Sequence, residues 1–312
     1  MNTRKPPLVV IAGPTASGKS SLAMALSRLM PATILNADAS QLYRDLRIVT
    51  ARPSLEDEAE VPHRLFGVVD GSQAASAADW AEMAKAAIAE AHAEYRLPIL
   101  VGGTGLYIRT LLDGIAPIPP IDEAVRARVR RLERAVVREQ LEQHDAAAAA
   151  RLGPNDGARN ARALEVILST GQTLAAWQAD RSGGIADQVN VTGIVLLPPR
   201  DWLRLRCDMR FETMLENGGI NEVRTLLSRG LPAAAPVMKA IGVREIAALL
   251  NDPAHRVTHI EAAKAATRQY AKRQYTWFRN QLPEAWEKID AQLDSDIIDK
   301  IAIKLRQEVL TR

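Results

Sequence analysis

Leu8-Val9-Val10-Ile11-Ala12-Gly13-Pro14-Thr15-Ala16-Ser17-Gly18-Lys19-Ser20 is the stretch on which the fold turns. Its first five residues are apolar without alternation, which reads as a short strand covered on both faces, as in a parallel sheet. Gly13 to Ser20 then fit G-x-x-x-x-G-K-[ST] at every fixed position, and Lys19 to Leu29 has helical spacing. A glycine-rich turn between a buried strand and a helix curls so that successive N–H groups face one anion, with the partial positive charge of the helix start behind it. Gly13, Pro14, Thr15, Ala16, Ser17, Gly18, Lys19 and Ser20 are therefore expected to cradle a polyphosphate, with Lys19 as a point charge on its oxygens and Ser20 as a ligand for Mg²⁺. The motif is that of ATP-binding and other nucleotide-binding P-loop proteins. It specifies polyphosphate rather than nucleotide, because a diphosphate ester presents the same oxygens as the end of ATP.

Working outward, residues 33–36, 64–69 and 98–101 read as further strands, and an Ala-rich helix opens at Ser76 and runs to about Glu94. Strands alternating with helices imply βαβ units and a parallel sheet. Ala116-Pro117-Ile118-Pro119-Pro120 interrupts the pattern, since prolines that dense fit neither a helix interior nor a central strand. Helix-like sequence follows over residues 122–150 and 156–168, and Gly183-Gly184 breaks the chain. Residues 189–197 read as a strand rejoining the sheet, and the sequence from Arg200 on looks helical to the end. The expected fold class is α/β. A P-loop NTPase-like parallel sheet flanked by helices takes residues 1–116 and 189–312, and an all-helical insertion domain takes residues 117–188.

The 312 residues, 47% hydrophobic and 25% charged, suit a soluble globular protein of about two domains. A net charge of +3 permits a nucleic-acid partner without demanding one, so local clustering matters more. The single cysteine, Cys207, excludes an intramolecular disulfide and a multi-cysteine zinc site, and the five histidines show no metal spacing and read as structural or exposed. The apolar run at 8–12 is too short for the core of a signal peptide, and no segment approaches the ~20 apolar residues of a membrane span. A cytoplasmic protein without membrane contact is expected.

Asn36-Ala37-Asp38-Ala39-Ser40-Gln41-Leu42-Tyr43 follows the second strand. Ligands of open α/β sheets sit at the carboxyl ends of strands, so Asp38 should share the P-loop crevice, where a carboxylate accepts a proton from an attacking nucleophile. An N-cap for a helix starting near Ser40 accounts for the same residue equally well. At Val101-Gly102-Gly103-Thr104-Gly105, Thr104 either offers its hydroxyl to the crevice or caps a tight strand-to-helix turn. Basic residues collect twice. Lys264, Arg268, Lys272, Arg273 and Arg279 occupy residues 262–280 with no acidic residue, interleaved with Tyr270, Tyr275, Trp277 and Phe278. Lys264, Arg268 and Lys272 share a helix face. The insertion carries Arg126, Arg128, Arg130, Arg131, Arg134 and Arg138. Each run is either a grip for nucleic-acid phosphates or a solvated basic face.

In this order the segments resemble the tRNA dimethylallyltransferase (tRNA isopentenyltransferase) family. The P-loop filling Gly-Pro-Thr-Ala-Ser-Gly-Lys is similar to that family's first motif. Asp38 to Tyr43 resembles its D-S-x-Q-x-Y, Thr50-Ala51-Arg52-Pro53 its T-A-K-P, and Pro62-His63-Arg64-Leu65 its P-H-H-L. Val101 to Tyr107 matches V-G-G-T-G-L-Y, and Asn155-Asp156 with Arg159 and Arg162-Ala163-Leu164-Glu165 fits N-D-x-x-R-x-x-R-A-L-E. Ala240-Ile241-Gly242 and the run from Thr267 to Arg279 complete the likeness, which spans about residues 8–285. Departures are Ala39 for a usual Ser, Val49 for Gly, Arg52 for Lys and Val243 for an aromatic.

The resemblance implies a transfer of the dimethylallyl group from dimethylallyl diphosphate, held with Mg²⁺ by the P-loop, to N6 of an adenosine in a tRNA anticodon stem-loop. That adenosine is the one 3′-adjacent to the anticodon in tRNAs reading codons that start with U, flipped out of its loop. By the same resemblance Asp38, Thr104 and Lys19 are catalytic. Asp38 takes the N6 proton, Lys19 steadies the leaving diphosphate, and Thr104 lies near the leaving oxygens or the base. Arg206 and Arg210 either clamp the diphosphate or form a solvated basic face. The implied tRNA contacts are Asp38, Ala39, Ser40, Gln41, Thr104, Arg126, Arg159, Arg162, Lys239, Gly242, Arg244, Lys272, Arg273 and Arg279, with Arg162 equally able to pair with Glu165. A monomer is expected. Three rivals stay open: a small-molecule P-loop kinase, a relative that prenylates free AMP or ADP, and a P-loop RNA-binding regulator without catalysis.

Overall fold

The computed structural model describes residues 5–311. Residues 1–4, part of the stretch that the sequence reads as no leader, and Arg312 lie outside the described residues. Six strands, β1 (Pro7–Ala12), β2 (Ala32–Asn36), β3 (His63–Arg64), β4 (Leu97–Gly102), β5 (Asn190–Leu196) and β6 (Glu287–Ile289), form one sheet in the order β3-β2-β4-β1-β5-β6. Every neighbouring pair is parallel. The continuous apolar runs occupy the centre: β4 is buried throughout, and so is β1 after Pro7. Helices Lys19–Leu29 and Ser295–Thr311 bring Leu22, Leu26, Ile301 and Leu305 into one core with Val9, Ile11, Ile34 and Ile99. Helix Ala77–Ala93, started by a capping box between Ser76 and Asp79, packs on β2 and β4.

Two strand expectations change. The strand expected over residues 64–69 shortens to His63–Arg64, because Leu65 (φ 68°) and Gly67 (φ 61°) turn the chain out of the ladder. Val69 returns only as a single bridge to Tyr43. The sequence from Arg200 on is not helical throughout: β6 pairs its three residues with β5 at the sheet edge.

The chain forms two compact units, one up to Leu111 and from Ile185 on, the other Leu112–Gly184. These seams lie a few residues before the expected ones at 117 and 189. Backbone hydrogen bonds run both ways between Ile115 and Ser182. A Cβ on Gly114 would meet Ser182 O at 2.2 Å. The proline run therefore lies inside the second unit. That unit is helical, with Val129, Val137, Leu141, Ala163 and Leu164 in its core. Its first helical stretch, expected unbroken, is three helices: Glu123–Arg131, Arg134–His144 and Ala146–Arg151. Leu132 and Glu133 are extended, and Asp145 caps the third by accepting from Ala148 N at 2.9 Å. Among the described residues no helix is long and apolar enough to cross a membrane.

In the larger unit, helices Arg200–Met214 and Arg256–Gln281 pack together. A second core joins Leu46 and Val49 to Phe211, Val223, Val237, Val243 and Ile246. This places the helical part of the unit beside the turn that follows β2.

Candidate active site

A cavity of about 590 Å³ lies at the carboxyl ends of β1, β2 and β4. Thr15 to Ser20 line it, as do Asp38 to Gln41, Arg206, Arg210 and Lys239. Gly13 and Pro14 are not in its lining and instead set the turn. Gly13 has φ 154°, and a Cβ there would sit 2.6 Å from Leu196 O. Pro14 O accepts from Lys19 Nζ at 2.7 Å. Burial lowers the Lys19 ammonium from 10.5 to about 8; Asp38 opposes this and Arg210 adds to it. Ser17 Oγ is buried without a partner among the described residues, a polar atom left over in the cradle. Arg206 donates from Nε to Ala16 O at 3.1 Å, and its guanidinium lies 4.7 Å over the Trp202 ring. Arg210 has no carboxylate partner among the described residues, and burial lowers its pKa. Arg206 is exposed and Arg210 half-buried, and both line the cavity beside the phosphate loop.

The two oxygens of Asp38 stand in different surroundings. Oδ1 accepts from Ser40 N at 3.0 Å and Ser40 Oγ at 2.7 Å, capping the short helix Ala39–Leu42. Oδ2 has no partner among the described residues, and Asp38 lines the cavity. Asn36 holds the turn behind it, its Oδ1 accepting from Asp38 N at 2.7 Å and its Nδ2 donating to Asp38 O and Leu65 O. Thr104 stands differently from the crevice reading. Its Oγ1 accepts from Ala39 N at 2.9 Å and lies toward the Tyr270 side chain, while Gly102 and Tyr107 form the lining there. Gln41 spends both amide protons on Thr50 O (2.9 Å) and Ala51 O (2.8 Å).

The sequence reading passes over several residues that assemble this site. Gln274 is 6% exposed, accepts from Thr15 N at 2.8 Å and donates to Gly103 O at 2.8 Å, tying the phosphate loop to the turn after β4. Its signal was an amide on the buried stripe Thr267, Ala271, Gln274 and Phe278. The Glu222 carboxylate accepts from the amides of Arg47, Ile48 and Val49 and so fixes the stretch leading to Thr50 and Ala51. His63, read as structural or exposed, lines the cavity.

Among the departures, Ala39 keeps its turn through its backbone N–H, Val49 joins the lining and Val243 is core. Arg52 is folded inward, donating to Phe66 O at 3.4 Å beside Gly67.

The basic helix face is divided. Lys264 pairs with Glu212 and Glu261, and Arg268 with Asp208, so neither is a free cation as the sequence suggested. Lys272, Arg273 and Arg279 are exposed without a carboxylate partner among the described residues, and Arg273 lies over the Tyr270 ring at 5.7 Å. Of the interleaved aromatics, Phe278 is fully buried and Tyr275 donates to Leu197 O. Gly242 (φ 95°) starts helix Val243–Asn251, on which Arg244 is exposed. In the second unit Arg126 is exposed and Arg159 pairs with Asp156 at 3.1 Å. Arg162 reaches Glu165 at 4.0 Å, which also holds Arg130 at 3.0 Å, so the pairing alternative for Arg162 is realised.

Cations gathered on one anion cradle, with a carboxylate oxygen left open in the same cavity, are what a P-loop transferase needs. They supply charge for a departing phosphate and an acceptor for the proton of the group that replaces it. Residues 41–281 match the family model described as IPP transferase. The chain is 59% identical over 306 residues to a tRNA dimethylallyltransferase of Sphingopyxis alaskensis, covering 98% of this chain and 100% of that one. It is 56% identical to one of Zymomonas mobilis, covering 97% of each. The crystal structure of the tRNA isopentenylpyrophosphate transferase of Bacillus halodurans superposes with a TM-score of 0.70 at 32% identity, covering 98% of each chain. A eukaryotic dimethylallyltransferase acting on tRNA gives 0.84 at 25% identity, covering 98% of this chain and 80% of that one. The chain belongs to the IPP transferase family, that of the tRNA dimethylallyltransferases.

Proposed function

We propose that this enzyme transfers a dimethylallyl group from dimethylallyl diphosphate to N6 of the adenosine 3′-adjacent to the anticodon in tRNAs reading codons that start with U, giving N6-isopentenyladenosine and diphosphate. The observation that carries the reading is the open Asp38 Oδ2 in one cavity with Lys19 and the phosphate loop. An adenine amine is a weak nucleophile and needs help at both ends. N6 forms a bond to C1 of the prenyl group while the C1–O bond breaks and its electrons leave on the diphosphate. The N6 proton passes to Asp38. Lys19, the loop amides, Arg206 and Arg210 receive the growing negative charge. Thr104, by holding Ala39, positions the carboxylate turn.

Mg²⁺ fits the donor set. That ion keeps several waters and takes one or two protein oxygens plus phosphate oxygens, and the Ser20 hydroxyl at the helix start supplies such an oxygen. No group of three or more His, Cys, Asp or Glu among the described residues forms a protein cage instead. Held by Ser20, Mg²⁺ would neutralise charge on the departing diphosphate.

In this reading Ala39, Ser40, Gln41, Lys239, Gly242, Arg244, Lys272, Arg273 and Arg279 meet the tRNA from the larger unit, and Arg126, Arg159 and Arg162 from the insertion, in the cytoplasm. The test is label transfer from dimethylallyl diphosphate, with an unmodified tRNA of A-rich anticodon loop and AMP assayed side by side. Label in the tRNA is expected. Label in AMP alone would point to a free-nucleotide prenyltransferase, and ATP-dependent phosphorylation of a metabolite without prenyl transfer to a kinase.

A further inference from the structure

Three tyrosines, Tyr43, Tyr107 and Tyr270, line the cavity around Asp38. The Tyr43 hydroxyl lies toward the backbone of Ala75, and that of Tyr270 toward the Thr104 side chain. The Tyr107 hydroxyl has no partner among the described residues, although the residue is only 5% exposed. A hydroxyl left without a protein partner, on a ring otherwise buried, is open to a ligand atom in the cavity that the residue lines.

The ring is held firmly. Tyr107 stacks on Trp80 with centroids 4.5 Å apart and 15° between planes. Trp80 is fully buried and donates from Nε1 to Asn36 O at 2.9 Å. Asn36 in turn fixes Asp38 through its side chain. One framework thus orients both the open carboxylate oxygen and the free hydroxyl. Burial, with the neighbouring Tyr43 and Asp38, pushes the Tyr107 phenol up to about 12, so it is a proton donor throughout the neutral range.

We infer that Tyr107 is a specificity-determining residue whose hydroxyl donates to a ring nitrogen flanking the amine of the bound adenine, N1 or N7, while Asp38 accepts from that amine. This rests on the reaction proposed above. An acceptor and a donor lining one cavity match the 6-aminopurine edge, where an amine donor adjoins a ring-nitrogen acceptor. Phosphate oxygens are a poorer match. An anion at the Tyr107 hydroxyl would meet the like charge of Asp38, which already raises the phenol.

The experiment is a cycle between Tyr107→Phe and single-atom changes in the target base: tRNA anticodon stem-loops carrying adenosine, 1-deazaadenosine or 7-deazaadenosine at the target position. Phe keeps the stack on Trp80, and unchanged affinity for inorganic pyrophosphate reports an intact cradle. On adenosine, Tyr107→Phe should lower kcat/KM about tenfold or more. On one deaza substrate the variant and the parent protein should be equal, because the acceptor is already gone. An undiminished rate on adenosine, or the same loss on all three bases, overturns the inference. A parent protein that prenylates none of the adenosine substrates overturns the proposed reaction itself.

Discussion

The two oxygens of Asp38 face different partners, which allows their roles to be separated by substitution. Asp38→Asn retains an acceptor for Ser40 N, but its second atom is an NH₂ group that takes no proton. Single-turnover prenyl transfer should fall by about 10²–10⁴-fold, with thermal stability and diphosphate affinity close to the parent. Asp38→Ala should add the loss of the cap, about 1 kcal/mol in a denaturant titration. Lys19 gives a pH dependence of definite sign. Burial brings it to about 8 in the free protein, so it is charged below that pH and loses its proton above it. Affinity for an unreactive prenyl diphosphate analogue should be level below about pH 8. Above it, affinity should drop by up to about tenfold per pH unit, and Lys19→Met should abolish the step. A flat profile in the parent protein would place the charge contact elsewhere. Lys19 and Asp38 were legible because short motifs fix their neighbours. Tyr107 and Gln274 stood inside quoted motifs without a role, since what defines them is contact across the fold: 259 residues separate Gln274 from Thr15.

Helix Arg256–Gln281 is more than a basic surface, because through Gln274 it holds the phosphate loop and the turn after β4 in one register. Gln274→Leu, of similar volume, leaves a buried N–H and C=O unpaired. It should lower unfolding free energy by about 2–4 kcal/mol and weaken diphosphate binding together with stability. Unchanged urea midpoint and affinity would show that the bridge is dispensable. The same scale explains what the sequence shows of the fold. Strands β1 and β4 announce themselves as apolar runs because both faces are covered. The three-residue edge strand β6, with Lys288 exposed, has too few buried positions to set a period. The breaks at Leu132–Glu133 and Asp145 are invisible to hydrophobic spacing because apolar positions continue on either side and local backbone geometry decides them.

Over the whole molecule, cations that look alike in sequence fall into two kinds. Lys264 and Arg268 are tied to carboxylates, whereas Lys272 and Arg273 have no carboxylate partner among the described residues. In the proposed reading, Lys272→Ala with Arg273→Ala should weaken tRNA binding. The plot of log affinity against log salt should flatten by about 0.7–0.9 per lost phosphate contact. Lys264→Ala should leave that slope unchanged, and an equal effect from all three would show that ion pairing does not sort them. At Ile115 and Ser182 the outgoing and returning strands of the chain pass side by side. A segment fastened at adjoining points is a cassette. Its length can drift, or a brief bridge can take its place, at a small closure entropy and without reordering the strands on either side. Natural variation in this enzyme's reach should therefore accumulate in the excursion between those two residues, while the sheet that does the chemistry keeps its wiring.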